Sequence, residues 1–146
     1  MTVILFGMKH CGKGTLADAL GRRWGWLVYD TDALVETLYE RLNSERLTFR
    51  QIFRRHGPET FAELEVQAVG DLADGLAGGQ EPVVIALGGR TILNPPLQPV
   101  LRDLGLRVCL QVDPEELLRR IVAGGIPPFL NEEDVAGSFQ TLYEQR

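Results

Sequence analysis

An α/β fold, with a parallel sheet covered by helices on both faces, follows from three observations. Short apolar runs alternate with amphipathic segments along the chain, and strands alternating with helices imply parallel pairing through right-handed crossovers. Val83-Val84-Ile85-Ala86-Leu87 is apolar throughout and bounded by turn residues, the pattern of a strand buried on both faces. The first apolar run, Val3-Ile4-Leu5-Phe6, passes into Gly7-Met8-Lys9-His10-Cys11-Gly12-Lys13-Gly14-Thr15 and then into a segment carrying Leu16, Ala17, Ala19 and Leu20. That is a strand, a glycine loop and a helix.

The spacing from Gly7 to Gly12 and Lys13 matches a phosphate-binding loop. Glycines let successive backbone N–H groups turn inward as an anion nest, and the following helix aims its positive end at the same place. Lys13 adds a mobile charge for the β- and γ-phosphates of a nucleotide. The strict pattern has a hydroxyl directly after the lysine; here that residue is Gly14 and the hydroxyl comes at Thr15. The bland reading is a tight strand-to-helix turn with an incidental lysine, which the strand before and the helix after disfavour.

Further along, Trp26-Leu27-Val28-Tyr29 reads as a second strand ending in Asp30-Thr31-Asp32. Carboxylates at the C-terminal end of such a strand sit where open α/β sheets hold their ligands; the same three residues also suit a helix N-cap. A helix is expected over about residues 33–42. Thr48-Phe49-Arg50-Gln51 has capping-box spacing and opens a short helix with Ile52 and Phe53. Gly57 ends it, and Pro58 suits the first turn of a longer helix carrying Phe61, Leu64, Ala68, Leu72 and Leu76. The strand over residues 83–87 ends in Gly88-Gly89-Arg90. Pro95-Pro96 opens a helix running through Leu104, and residues 106–112 form a fourth strand. Asp113-Pro114-Glu115-Glu116 is a strong helix start. A loop from Gly124 leads to a final helix over residues 132–146.

The 146 residues suffice for one domain, read here as 1–146 with a short lid over about 124–133. A net charge of −5 with no long basic run argues against nucleic-acid binding. No apolar stretch has membrane-spanning length, and the chain enters a strand at once, so a cytoplasmic protein is expected. Cys11 and Cys109 are read as free thiols, in keeping with a reducing compartment.

Taken together, the residues resemble the shikimate kinase family. The resemblance rests on the phosphate loop, the Asp30-Thr31-Asp32 turn, the segment from Ile52-Phe53 through Gly57 and Phe61 to Glu65, and the strand ending in Leu87-Gly88-Gly89. It extends through the Arg119-Arg120 helix to Arg146. It implies a three-layer P-loop kinase fold, in which one more strand and a last helix would follow, so a last strand missing from the chain is allowed for. It also implies ATP-dependent phosphorylation of a hydroxyl on a small acid, shikimate first, by a cytoplasmic monomer that binds neither nucleic acid nor membrane.

Site roles follow residue by residue. ATP would lie on Gly7, Cys11, Gly12, Lys13, Gly14 and Thr15, with Arg120 resembling the arginine that stacks on the nucleotide. Asp30 would hold Mg²⁺ through water with Thr15 nearby. Lys13 and Asp32 would be catalytic, Asp32 receiving the acceptor hydroxyl and Glu65 buttressing the pocket. Gly88, Gly89, Arg90 and Arg146 would meet the acceptor. Phosphoryl transfer needs such a positioned hydroxyl, a metal on the phosphates and positive charge on the group in flight.

Departures gather on the acid side. Ala62 stands where the family has an acid-binding arginine, Pro58 replaces a glutamate, Pro127 replaces the lid arginine, and Arg90 replaces the third glycine of a Gly-Gly-Gly turn. The lid, residues 124–133, has no Lys or Arg. Two further readings therefore stand beside the first: a kinase with another small acceptor, and a nucleotide-binding module with little or no turnover.

Overall fold

The computed structural model describes residues 1–79, 81–123 and 130–144. Strands β1 (Thr2–Gly7), β2 (Leu27–Asp30), β3 (Val83–Ala86) and β4 (Leu106–Leu110) form one parallel sheet in the order β2-β3-β1-β4. Helices α1 (Lys13–Trp24), α2 (Thr31–Asn43), α3 (Phe49–Leu76), α4 (Leu97–Leu104), α5 (Pro114–Ala123) and α6 (Val135–Glu144) complete the described chain.

Period-two alternation on the strands separates two cores. Val3, Leu5, Val84 and Ala86 pack with Ala17 of α1 on one face. Ile4, Val83, Ile85 and Leu87 pack with Val69 of α3 and with Leu97 and Leu101 of α4 on the other. The three-layer arrangement therefore comes from strands apolar on both sides, as the sequence of β3 requires. A third cluster joins α2 to α3 through Val35, Leu38, Ile52 and Leu64. A fourth joins α5 and α6 to the phosphate loop through Cys11, Leu117, Ile121, Leu130 and Phe139. The edge strand β4 leaves Leu106 and Val108 exposed.

Local signals set most helix ends. The Thr48–Gln51 capping box is complete, with the Thr48 Oγ1 accepting from the Gln51 N–H and the Gln51 Oε1 accepting from the Thr48 N–H. Asp113 caps α5 by accepting from the Glu115 N–H. Gly57, at φ 83° and ψ 177°, breaks α3 internally where the two-helix reading put the junction, and the chain resumes as helix at Pro58. Several boundaries differ from expectation: β2 starts at Leu27 rather than Trp26, and β4 stops at Leu110 rather than at residue 112. The second helix starts at Thr31 because Asp30 caps it. A short 3-10 turn, Thr91–Leu93, fills the stretch after Arg90. The last helix begins at Val135, because Asn131 Oδ1 accepts from the Glu133 N–H in the turn ahead of it and Asp134 caps its first turn by accepting from the Gly137 N–H. Arg146, Pro127 and lid residues 124–129 lie outside the described residues.

Candidate active site

The site forms at the C-terminal ends of β1, β2 and β3. On the β1 side the loop from Gly7 to Gly12 is shaped by positive φ angles at Gly7 (147°), His10 (65°) and Gly12 (94°). A side chain at Gly7 would be impossible, since a Cβ there would sit 2.6 Å from the Leu110 carbonyl oxygen. Gly12 is the N-cap of α1, with no side-chain cap and no acidic residue in the first turn, so the helix start keeps its positive end open to an anion. Gly14 and Thr15 are exposed there. Cys11 is buried among α5 and α6, so it meets a ligand only through its backbone. The Lys13 Nζ donates to the Gly7 and Met8 carbonyls at 3.0 and 2.9 Å, which holds its charge over the nest.

On the β2 side, Asp30 Oδ1 accepts from the N–H groups of Asp32 and Ala33 at 2.8 and 3.2 Å. The cap reading of this turn holds, and it leaves the second oxygen of Asp30 outside the cap. Asp32, one residue into α2, turns toward β3. A Cβ at Gly88 would lie 2.5 Å from Asp32 Oδ1, so only glycine admits that carboxylate.

Behind Asp32 runs a buried polar chain. The Gly88 N–H donates to Thr31 Oγ1 at 2.7 Å. Thr31 and Thr91 hydroxyls lie 3.5 Å apart, and Thr91 donates to Glu65 Oε1 at 2.6 Å. Because Thr91 gives its proton to Glu65, it is left to accept from Thr31. Asn94 completes the set, its Nδ2 donating to Glu65 Oε2 at 3.4 Å and to the Ala62 carbonyl at 3.0 Å. Every buried side-chain polar atom among the described residues is satisfied.

Burial, then the neighbouring carboxylates of Asp30 and Glu65, push Asp32 up to about 6, against the pull of Lys13 and Lys9. Glu65 is raised by burial too, countered by its bonds from Thr91 and Asn94 and by the charge of Arg90. The Lys9 amine is lowered by burial and by Arg50, and raised by Asp32. A carboxylate poised near neutrality thus faces an anion nest across the end of the sheet, an arrangement suited to delivering a hydroxyl to a bound phosphoryl group.

A sequence model of the shikimate kinase family matches residues 9–146. The chain is 35% identical over 146 residues to the shikimate kinase of Microcystis aeruginosa, spanning all of this chain and 70% of that protein. The chain belongs to the shikimate kinase family. Its members are phosphotransferases with an alcohol acceptor. The shikimate kinase of Geobacter sulfurreducens is 32% identical, over 99% of this chain and 74% of its own. In structure, the shikimate kinase of Bacteroides thetaiotaomicron superposes with a TM-score of 0.79 at 25% identity, covering 100% of this chain and 78% of that one.

Within that family frame, the fold brings together Gly7, Gly12, Lys13, Gly14, Thr15, Asp30, Asp32, Gly88 and Gly89, with Glu65 behind them. Arg90 is exposed at the turn and reaches Glu65 through its charge. Arg120 is engaged on its own helix, its Nε donating to Glu116 Oε1 at 2.6 Å. Phe53 and Phe61 meet edge to face at 5.7 Å, Phe61 standing next to Ala62. Sequence reasoning missed Lys9, Thr31, Thr91 and Asn94. The only signal for Thr31 was its place between two aspartates; Thr91 and Asn94 carried none, because their partners lie far off in the chain. No helix among the described residues is long and apolar enough to cross a membrane.

Proposed function

We propose that this chain transfers the γ-phosphoryl group of ATP to a hydroxyl of shikimate. The observation that carries the reading is the Asp32 carboxylate, desolvated against Gly88 and facing the open start of α1. Asp32 accepts the hydrogen bond of the attacking hydroxyl, orients it and takes its proton as the new P–O bond forms. The amides at the start of α1 and the Lys13 ammonium hold the β- and γ-phosphates and offset the charge that gathers on the transferring group. To do so Lys13 exchanges its two loop carbonyls for phosphate oxygens.

Mg²⁺ fits the donors present. Asp30 and Thr15 offer hard oxygen ligands for an ion that is also held by nucleotide phosphates. When bound, Mg²⁺ neutralises phosphate charge. Gly88 and Gly89 line the acceptor side by backbone, and Arg90 and Arg146 add charge for the acid. A shikimate kinase from Acinetobacter baumannii, of the same fold at a TM-score of 0.77 and 24% identity, is known in complex with shikimate.

The test is ADP release from ATP–Mg²⁺ with shikimate, gluconate and nucleoside monophosphates as separate acceptors. Shikimate is expected to give turnover, and Asp32→Asn to lose about 10²–10⁴-fold in kcat while still binding ATP. One observation favours a second reading, a kinase for another small acid: Ala62 stands where the family's acid-binding arginine belongs. Turnover with gluconate alone would select it, and nucleotide binding with no ADP release on any acceptor would select a nucleotide-binding module with little or no turnover.

A further inference from the structure

The turn that follows β3 is fastened at both ends, each time to a different helix. At its start, the Gly88 N–H donates to Thr31 Oγ1 of α2 at 2.7 Å. At its end, Asn94 Nδ2 donates to the Ala62 carbonyl of α3 at 3.0 Å and to Glu65 Oε2 at 3.4 Å. Thr31 is 1% exposed and Asn94 9%, so little water competes for these bonds. The turn is also braced from within. The Thr91 N–H donates to the Gly88 carbonyl, the Leu93 N–H to Arg90 and the Asn94 N–H to Thr91. Gln98 of α4 donates through Nε2 to the Ile92 carbonyl. Gly89, half-buried, and Arg90, exposed, form the apex.

The pinned start also sets Asp32. A Cβ at Gly88 would lie 2.5 Å from Asp32 Oδ1 and 2.8 Å from Thr91 Oγ1, so carboxylate and hydroxyl crowd the same backbone carbon. Thr31, which holds the Gly88 amide, directly precedes Asp32 in the chain. A shift of the turn therefore changes the spacing between Asp32 and the apex. Thr31 and Asn94 are buried in the bonds just named, so they act on an acceptor through the turn. A small polyhydroxy acid offers several hydroxyls of like reactivity. The one that reacts is the one held in line with the phosphoryl group, and a misplacement of about 1 Å is enough to lose it.

We propose that Thr31 and Asn94 are positioning residues that pin the turn from Gly88 to Asn94 between α2 and α3, and so decide which hydroxyl of the acceptor reaches Asp32. The inference rests on the kinase reading above and adds how the site chooses among the acceptor's hydroxyls. The two pins hold opposite ends of one short turn, so releasing either frees the apex, and releasing the second adds little.

The experiment is steady-state kinetics on the full chain with shikimate and ATP–Mg²⁺, with the products resolved by phosphorus NMR. The proteins are the wild type, Asn94→Ala, Thr31→Val, Thr31→Ser and the double variant Thr31→Val with Asn94→Ala. The wild type is expected to give one shikimate monophosphate. Asn94→Ala and Thr31→Val are each expected to lower kcat about 10–100-fold, leave KM for ATP unchanged and yield a second monophosphate. Thr31→Ser keeps the hydroxyl and is expected to match the wild type in rate and in its single product. The double variant is expected to lose far less than the two single losses multiplied. Unchanged rates and one product in every variant would overturn the inference and leave the kinase reading intact. A slower kcat with a single product would overturn it as well, because the turn would then not choose the hydroxyl. Fully multiplicative losses would mean that the two residues do not hold one turn, and would also count against it. A wild type inactive on shikimate would overturn the kinase reading and this inference together. Thermal melts show which variants are folded at the assay temperature, and loss of fold in Asn94→Ala passes the decision to Asn94→Ser in the same comparison.

Discussion

At the residue scale, Asp32 carries the most specific consequence. Its ordinary value of 3.8 is raised to about 6, so it is largely protonated at pH 5 and ionised at pH 7. A protonated carboxyl cannot take the proton of an attacking hydroxyl. The acceptor kcat/KM is therefore expected to rise with pH and level off above an apparent pKa near 6, and the Asp32→Asn residual rate to lack that step. A flat profile from pH 5 to 8 in the wild type would show that Asp32 is not the group that titrates in turnover. Glu65, raised in the same direction, has both carboxylate oxygens engaged, by Thr91 and by Asn94. Two neighbouring carboxylates are thus placed for different work: in the proposed reaction Asp32 meets the acceptor, while Glu65 is held by Thr91 and Asn94.

At the element scale, the turn after β3 depends on hydroxyls that belong to other elements. Thr31 comes from the start of α2, Thr91 from the short 3-10 turn, and Glu65 from the middle of α3. Thr91 is fully buried and is the joint between them. Thr91→Val keeps the shape and removes the donor, leaving Glu65 with one bond fewer in a buried place. A loss of about 1–3 kcal/mol in stability is expected, read from the urea midpoint, together with a slower kcat as Asp32 and Gly88 lose their fixed spacing. An unchanged midpoint would mean that water serves Glu65 as well as Thr91 does. The capping box at Thr48 and the Asp113 cap are of another kind. Each satisfies amides within its own helix start, which is why both were readable from a few residues of sequence, whereas no local pattern announces Thr91.

At the scale of the whole molecule, the site works against stability. Asp32 is raised above its unfolded value, so between pH 3.8 and about 6 the folded chain holds more protons than the unfolded one. Stability therefore falls as pH rises through that window and stays level above it, the reverse of a salt-bridged carboxylate. Glu65 acts in the same sense. Asp32→Asn removes the burden of an ionised group, so the variant is expected to be about 1–2 kcal/mol more stable than the wild type at pH 8, allowing for solvent screening. Near pH 4 the two should match. Denaturant melts at both values test this, and a less stable variant at pH 8 would mean that the ionised carboxylate holds the site together.

The sequence by itself determined the layers, the phosphate loop and the helix starts at Thr48 and Asp113, and its resemblance named the family. These features are local or periodic: a cap joins residues three apart, a loop is spaced glycines, and a buried strand is an apolar run. The tertiary structure alone decided which polar groups meet. The sheet order β2-β3-β1-β4 puts β3 between the strands that carry Asp30 and Gly7, and so brings Gly88 to Thr31 across 57 positions and Thr91 to Glu65 across 26. The same order sets Lys9 against Gly89, a proximity that no local pattern announces. Burial of Asp32 was likewise invisible in Asp-Thr-Asp, because a carboxylate's proton affinity depends on the neighbours and solvent that surround it, and those are supplied by the packing of distant elements.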